Sequence, residues 1–128
     1  MGQQQLLLIV LGVIVVGIAV VVGINLFNAN AVSANRDGVI SDLNNLGAMA
    51  QQYYKKPTSM GGGGNQFTGW TIPTGLDSTA NGTYTRTING TTSVTITGVG
   101  TEIGDDGSSN VQAAATVTAN TISVSVSN

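Results

Sequence analysis

The residue types that most often carry chemistry are scarce in this sequence. It has no Cys and no His. That removes thiol nucleophiles, imidazole bases, disulfides and the commonest metal ligands together. Six carboxylates remain: Asp37, Asp42, Asp77, Glu102, Asp105 and Asp106. Only Asp105-Asp106-Gly107 forms a local cluster, followed by Ser108, Ser109 and Asn110. Calcium needs six or more oxygens, and no EF-hand spacing is present, so the cluster reads as a solvated turn. Paired carboxylates could flank a glycosidic bond, but nothing singles out a pair here. Gly61 to Gly64 is a glycine run without the Lys and Ser/Thr of a phosphate-binding loop, and reads as a flexible connector. Tyr53 and Tyr54 read as core packing and surface cover; with aromatics at 5%, a path for electrons has too few stations. Asn81-Gly82-Thr83 and Asn89-Gly90-Thr91 match the N-glycosylation pattern, so Asn81 and Asn89 are candidate attachment points. The expectation is a protein that is not an enzyme, with no catalytic residues, metal, cofactor or small-molecule substrate.

Charge narrows the choice of partner. Charged residues make up 8% of the 128, and the net charge is −2. No basic patch is available to hold a nucleic-acid backbone, which disfavours nucleic acid as a partner. The charges are also unevenly placed. None occurs before Arg36, Leu6 to Ile24 is apolar apart from glycine, and the chain after Lys56 is rich in Gly, Thr, Ser and Asn. Three segments follow: 1–27 as an apolar helix, 28–56 as an amphipathic helix half, and 57–128 as a β domain.

An apolar run of about 18 or more residues can cross a bilayer as a helix. This one is apolar on every face, so it must be buried all round, in lipid or among other helices. A cleaved signal peptide ending near Ala29-Asn30-Ala31 would need a basic n-region, and Met1 to Gln5 has no Lys or Arg. A permanent membrane anchor would usually have basic flanks, and the near flanks have none. The third reading is a segment that sits in the membrane first and in a protein polymer later. Gly12, Gly17 and Gly23 are not at GxxxG spacing. They suit close approach to several neighbours, or a local loosening of the helix, at roughly 1 kcal/mol each against Ala.

Beyond the run, Val32, Val39, Leu43, Leu46, Ala50 and Tyr53 recur at spacings of three, four or seven, one stripe at helical period. Lys55 and Lys56 suit a helix C-terminus and Pro57 enforces the stop. Gly38 and Gly47 are weak points, and a break between Asn28 and Asn35 is expected. Trp70, Ile72 and Leu76 are expected to anchor the next segment onto the stripe. Thr83 to Ile88 and Thr92 to Thr97 flank Asn89-Gly90, a hairpin signal. A three-residue loop pairing Tyr84 with Ile96 and Ile88 with Thr92 unites the apolar side chains on one face. A turn at Asn120-Thr121 pairs Val117 with Val124 and Ala115 with Val126, and leaves Thr116, Thr118, Ser123 and Ser125 outside. The fold class predicted is α+β: a long N-terminal α-helix, apolar then amphipathic, packed on a small C-terminal antiparallel β-sheet of about four strands.

The first half of the chain resembles the mature N-terminus of type IV pilins and their relatives. In that family an apolar or Met first residue is followed by a polar fifth residue, usually Glu, and then a long apolar helix. Here Met1 would be the processed, N-methylated terminus, and Gln5 stands where the Glu usually is. Gln5 cannot carry charge, but its amide oxygen can accept a hydrogen bond. The proline found in many bacterial relatives is missing. The resemblance implies inter-subunit contacts through Gln5, Leu6, Leu7, Leu8, Ile9, Leu11, Val13, Ile14, Val16, Ile18 and Val20. It implies a homo-oligomeric helical filament on the cell surface, serving adhesion or motility. It also implies membrane insertion before assembly, a leader peptidase and a pilus assembly machinery as partners. A membrane-tethered β binding module and a secretion pseudopilin are the alternatives.

Overall fold

The computed structural model of the chain describes residues 2–128; Met1 lies outside them. Helix α1 runs from Gly2 to Lys55. The break expected between Asn28 and Asn35 is absent, and the helical pattern continues through it. The chain nevertheless divides into two compact units, one ending at Ala31 and one spanning Val32–Asn128.

The first unit is helical from Gly2 onward and long and apolar enough to cross a membrane. Its large apolar side chains from Leu6 to Phe27 are all more than half exposed. A Cβ added at Gly12, Gly17 or Gly23 would meet nothing within 4 Å, so nothing within the chain requires glycine at these positions.

The second unit lays the rest of α1 on an antiparallel sheet, as an α+β layer. Its strands are β1 (Ser78–Thr79), β2 (Gly82–Asn89), β3 (Ser93–Ile103), β4 (Asn110–Thr118) and β5 (Ile122–Val126), paired in chain order. The sheet has five strands rather than about four. The addition is β1, two residues held against Gly82 and Thr83, too short to show a period of two in sequence. Consecutive antiparallel neighbours joined by short loops need no crossover.

The helix stripe is buried as its spacing predicts, through Val39, Leu43, Leu46 and Ala50, while Val32 and Tyr53 are half-buried. Facing it are Tyr84, Val94, Ile96, Ala113, Ala115 and Val117, with Phe67 and Trp70 closing one side. Fully burying each Val, Leu, Ile or Phe among them contributes about 1.5–3 kcal/mol. Trp70 is buried and Ile72 packs against the core, but Leu76 stays partly exposed. Phe67, which the sequence reading did not single out, is the largest fully buried side chain and lies 4.8 Å from the Tyr54 ring.

Both hairpins keep the expected faces but shift their turns by one residue. Asn89 pairs with Ser93, so the three-residue loop is Gly90 to Thr92. This sets Ile88 opposite Val94 rather than Thr92, an apolar pair in place of a mixed one. The second turn is Ala119-Asn120, because Thr118 N–H donates to Thr121 C=O (2.9 Å). Val117 therefore meets Ile122, and Ala115 meets Val124. Slips of two residues in pairing preserve the face, as the period of two requires.

The glycine run is not a loose connector. Gly63 N–H donates to Tyr53 C=O (2.8 Å), Gly64 N–H to Lys56 C=O (3.0 Å) and Asn65 N–H to Tyr54 C=O (2.7 Å). The run folds back over the end of α1 and satisfies carbonyls that a helix terminus leaves without partners. A Cβ on Gly63 would overlap the Gln66 carbonyl, so the backbone passes where only glycine fits.

Gly38 and Gly47 are likewise contact points rather than weak points. A Cβ at Gly38 would stand 2.5 Å from Asn81 Oδ1, and one at Gly47 would stand 3.0 Å from Ile122 Cδ1. On β3, a Cβ at Gly98 would press on Tyr84 and Val39, and one at Gly100 would overlap Asn35 Oδ1.

Asn35 is the one buried polar residue on the stripe among the described residues. Its Nδ2 donates to Asn81 C=O (2.7 Å), and its Oδ1 accepts from Thr101 N–H (3.0 Å) and Glu102 N–H (3.3 Å). Those two amides are unpaired across the register shift of β3 between Val99 and Ile103, so Asn35 completes the bulge. Leaving these groups without a partner costs about 1–3 kcal/mol each when they are buried. Asn35→Ala is therefore expected to destabilise the second unit by roughly 2 kcal/mol or more, read from urea unfolding followed by Trp70 fluorescence. Unchanged stability would show that water replaces the amide.

Candidate functional site

The structure spreads the sequence-predicted positions over two settings. Gln5 and the apolar positions Leu6, Leu7, Leu8, Ile9, Leu11, Val13, Ile14, Val16, Ile18 and Val20 all lie on the first unit, each exposed. They occupy all sides of one helix. Gly12, Gly17 and Gly23 punctuate the same surface with gaps. Met1, expected as a processed terminus, is outside the described residues. This segment has no titratable side chain, so it can act only by contact.

The two glycosylation candidates differ in surroundings. Asn81 is half-buried, and its Nδ2, the atom a glycan would take, donates to Asp42 Oδ2 (3.1 Å). Asn89 is exposed beside the Gly90 loop, where its Nδ2 donates to Thr95 Oγ1 (2.7 Å).

Asp42 gathers the main polar cluster of the second unit. It sits on α1 next to Leu43, and one carboxylate oxygen, Oδ2, accepts three hydrogen bonds. The donors are Tyr84 OH (2.6 Å), Thr79 Oγ1 (2.8 Å) and Asn81 Nδ2. They come from β2, β1 and the turn between them, so the carboxylate ties that sheet edge to the helix. Burial by itself would raise the pKa of Asp42. The hydrogen bonds from Tyr84, Asn81 and Thr79 outweigh it and hold the group below its usual value. Burial, reinforced by the bond to Asp42, pushes the Tyr84 phenol well above its own. Tyr84 therefore stays protonated and Asp42 ionised, a charge-assisted pair. A half-open groove of about 310 Å³ lies beside it, lined by Asp42, Asn45, Leu46, Met49, Leu76 and Thr79.

The acidic turn closes on itself. Asp106 Oδ1 accepts from Ser108 N–H (2.9 Å) and Ser109 N–H (2.8 Å), and Asn128 Oδ1 accepts from Asp106 N–H (3.1 Å). The two backbone bonds pull the Asp106 pKa down to about 2. Asp105 is 81% exposed and stands 3.1 Å from Arg36 Nη2. That approach is an ion pair without hydrogen-bond geometry, and the buried Arg36 Nε has no partner. Such a half-solvated pair is worth little, about 0–1 kcal/mol. No group of three or more His, Cys, Asp or Glu side chains comes together among the described residues.

The Asp42 cluster and Asn35 both escaped the sequence reading. The available signal was polarity beside the stripe: Asn35 sits four residues before Val39, and Asp42 one before Leu43. Their partners, Thr79, Asn81, Tyr84, Thr101 and Glu102, are 37 to 67 residues away, a separation that no local pattern encodes.

A depressed carboxyl pKa in the fold means stability that is complete above the unfolded pKa and lost as pH falls through the folded one. Asp42 and Asp106 are both depressed. The second unit should therefore lose stability as pH drops below about 4. Asp42→Asn is expected to be less stable at pH 7 and to show a flatter profile between pH 4 and pH 2, measured by urea unfolding at each pH. An unchanged slope would remove Asp42 from this account.

No protein-family model matches the chain, and no curated protein or solved structure matches it either, so the functional reading rests on this geometry.

Proposed function

We propose that this chain is the structural subunit of an extracellular, type IV pilus-like filament, polymerising through Leu6 to Ile24. One observation carries the reading: a helical segment apolar on every side that the chain itself leaves uncovered. Lipid can cover it before assembly and neighbouring helices after, because both present hydrocarbon. Gly12, Gly17 and Gly23, unexplained within the chain, become places where neighbouring backbones approach. Gln5 lies one residue before the apolar run and can accept a hydrogen bond from a neighbour's terminus. On this reading the partners are identical subunits, the cytoplasmic membrane, a leader peptidase and an assembly machinery. The Thr- and Ser-rich outer face of the sheet would meet the surroundings and serve adhesion.

The groove beside Asp42 favours a second reading, a binding module tethered by the same helix. Electron microscopy of native material separates the two: filaments support the first, and dispersed membrane monomers the second. Val16→Asp places an unpaired charge in a packed core, which costs roughly 3 kcal/mol or more. Subunit affinity should then fall more than about 100-fold and filaments should disappear. Gly17→Leu keeps the segment apolar, so membrane insertion should persist while overpacking of about 1–3 kcal/mol reduces filament yield. Filaments of normal abundance from both variants would overturn the packed-core reading.

A further inference from the structure

A sheet edge is a template for another strand, and proteins protect edges with charges, prolines, bulges or covering loops. The two edges of this sheet are treated differently. The outer side of β2 is held at both ends: Tyr84 N–H donates to Asp77 C=O (2.8 Å), and Phe67 N–H donates to Thr91 C=O (3.0 Å) just past the strand. β1 pairs with its start, and Arg86 puts a charge along it. Among the described residues the other edge has no such device. Ile122-Ser123-Val124-Ser125-Val126 contains no charge, proline or glycine, and its register with β4 runs without a shift.

The register also tells which backbone groups are free. Antiparallel ladders alternate bonded and non-bonded pairs. Thr118 N–H donates to Thr121 C=O and Ser127 N–H to Gln112 C=O, both at 2.9 Å. The bonded pairs between them are then Thr116 with Ser123 and Ala114 with Ser125. Ile122, Val124 and Val126 therefore direct N–H and C=O away from the sheet. These residues are spaced symmetrically about Val124.

We infer that β5 is a self-association edge, pairing antiparallel with β5 of a second copy about a two-fold axis at Val124. The rotation sets Ile122 opposite Val126 of the second copy and Val124 opposite its own counterpart. Every free group then meets a free group, as two hydrogen bonds in each bonded pair. The same rotation keeps the apolar side chains on one face and covers Val126, which is 45% exposed. No like charges meet, because the strand has none. Such an interface is isologous and closes on two copies. It is thus distinct from a growing polymer contact.

The chain has no cysteine of its own, which makes paired reporters clean. In the two-fold pair, Ser123 lies opposite Ser125 of the second copy at a non-bonded position, about 4.5 Å between Cα atoms, within disulfide range. Full-length Ser123→Cys and Ser125→Cys chains, co-expressed and oxidised in detergent, should give at least about tenfold more covalent dimer than either alone. Equal yields alone and together would overturn the pairing. A second arm adds Val124→Pro to both chains. The Val124 N–H is free in the single chain, so proline there leaves the β4 ladder intact, which circular dichroism checks, but it blocks the new strand pair. Cross-linking should fall to background; unchanged cross-linking in a folded Val124→Pro pair would overturn the edge as its cause.

Discussion

Everything in this chain turns on where its apolar side chains leave water. In α1 the pattern changes from apolar all round to a single stripe at about Val32. The stripe finds cover within the chain, and the uniformly apolar part does not. Seventeen large apolar side chains of the first unit stay mostly exposed. At ~1.5 kcal/mol or more for each one fully buried, the unrealised burial exceeds about 20 kcal/mol. That is more than the about 5–15 kcal/mol that holds a typical domain together. Exposed hydrocarbon on this scale makes cover by lipid or by other helices favourable.

The second unit shows how a small, weakly charged domain can still hold a helix in one register. Its sheet is thin where the helix comes near. Gly98 and Gly100 on β3, and Gly47 on the helix, remove side chains that would hold the layers apart. Close approach lets polar groups on the helix reach sheet backbone. Asn35 reaches into the β3 irregularity, and Asp42 takes three donors from the β1–β2 edge. Polar bonds of this kind add specificity to a core that apolar packing alone would leave free to slide. A one-turn slip of the helix would strand Asn35 without partners and would move Val39 from its place against Gly98.

Much of this fold was legible because the signals are periodic. The helical stripe from Val39 to Ala50 and the alternation in β4 and β5 name their buried faces directly. Both hairpin shifts respect that alternation, since moving the turn by one residue on each strand keeps Ile88 with Val94 and Val117 with Ile122 on the core side. What decided the turn position was cross-strand pairing, which depends on the partner strand. The glycine run misled for a different reason. Composition describes the freedom a segment has when nothing else acts on it, and here the carbonyls of Tyr53, Tyr54 and Lys56, at and just past the helix end, act on it. Phe67 was overlooked because an isolated aromatic in a glycine-rich stretch has no period. The Asp42 cluster was illegible because its members are far apart in sequence and ordinary in type.

The distribution of polar groups finally bears on what kind of work the molecule can do. The Asp42 carboxylate is occupied by donors on one oxygen, the Asp106 carboxylate is committed to its own turn, and Tyr84 is held protonated. Asp42 and Tyr84 bind each other between helix and sheet, Asp106 binds the backbone of its own turn, and the shifts in their pKa values follow from those bonds and from burial. The surfaces left over include an apolar helix, a hydroxyl-rich sheet face, one strand edge and the groove beside Asp42. An apolar helix is complementary to hydrocarbon or to other helices, and a strand edge to another strand. With Asp42, Asp106 and Tyr84 engaged inside the fold, contact through these surfaces is the physical ground on which the proposal of a subunit rests.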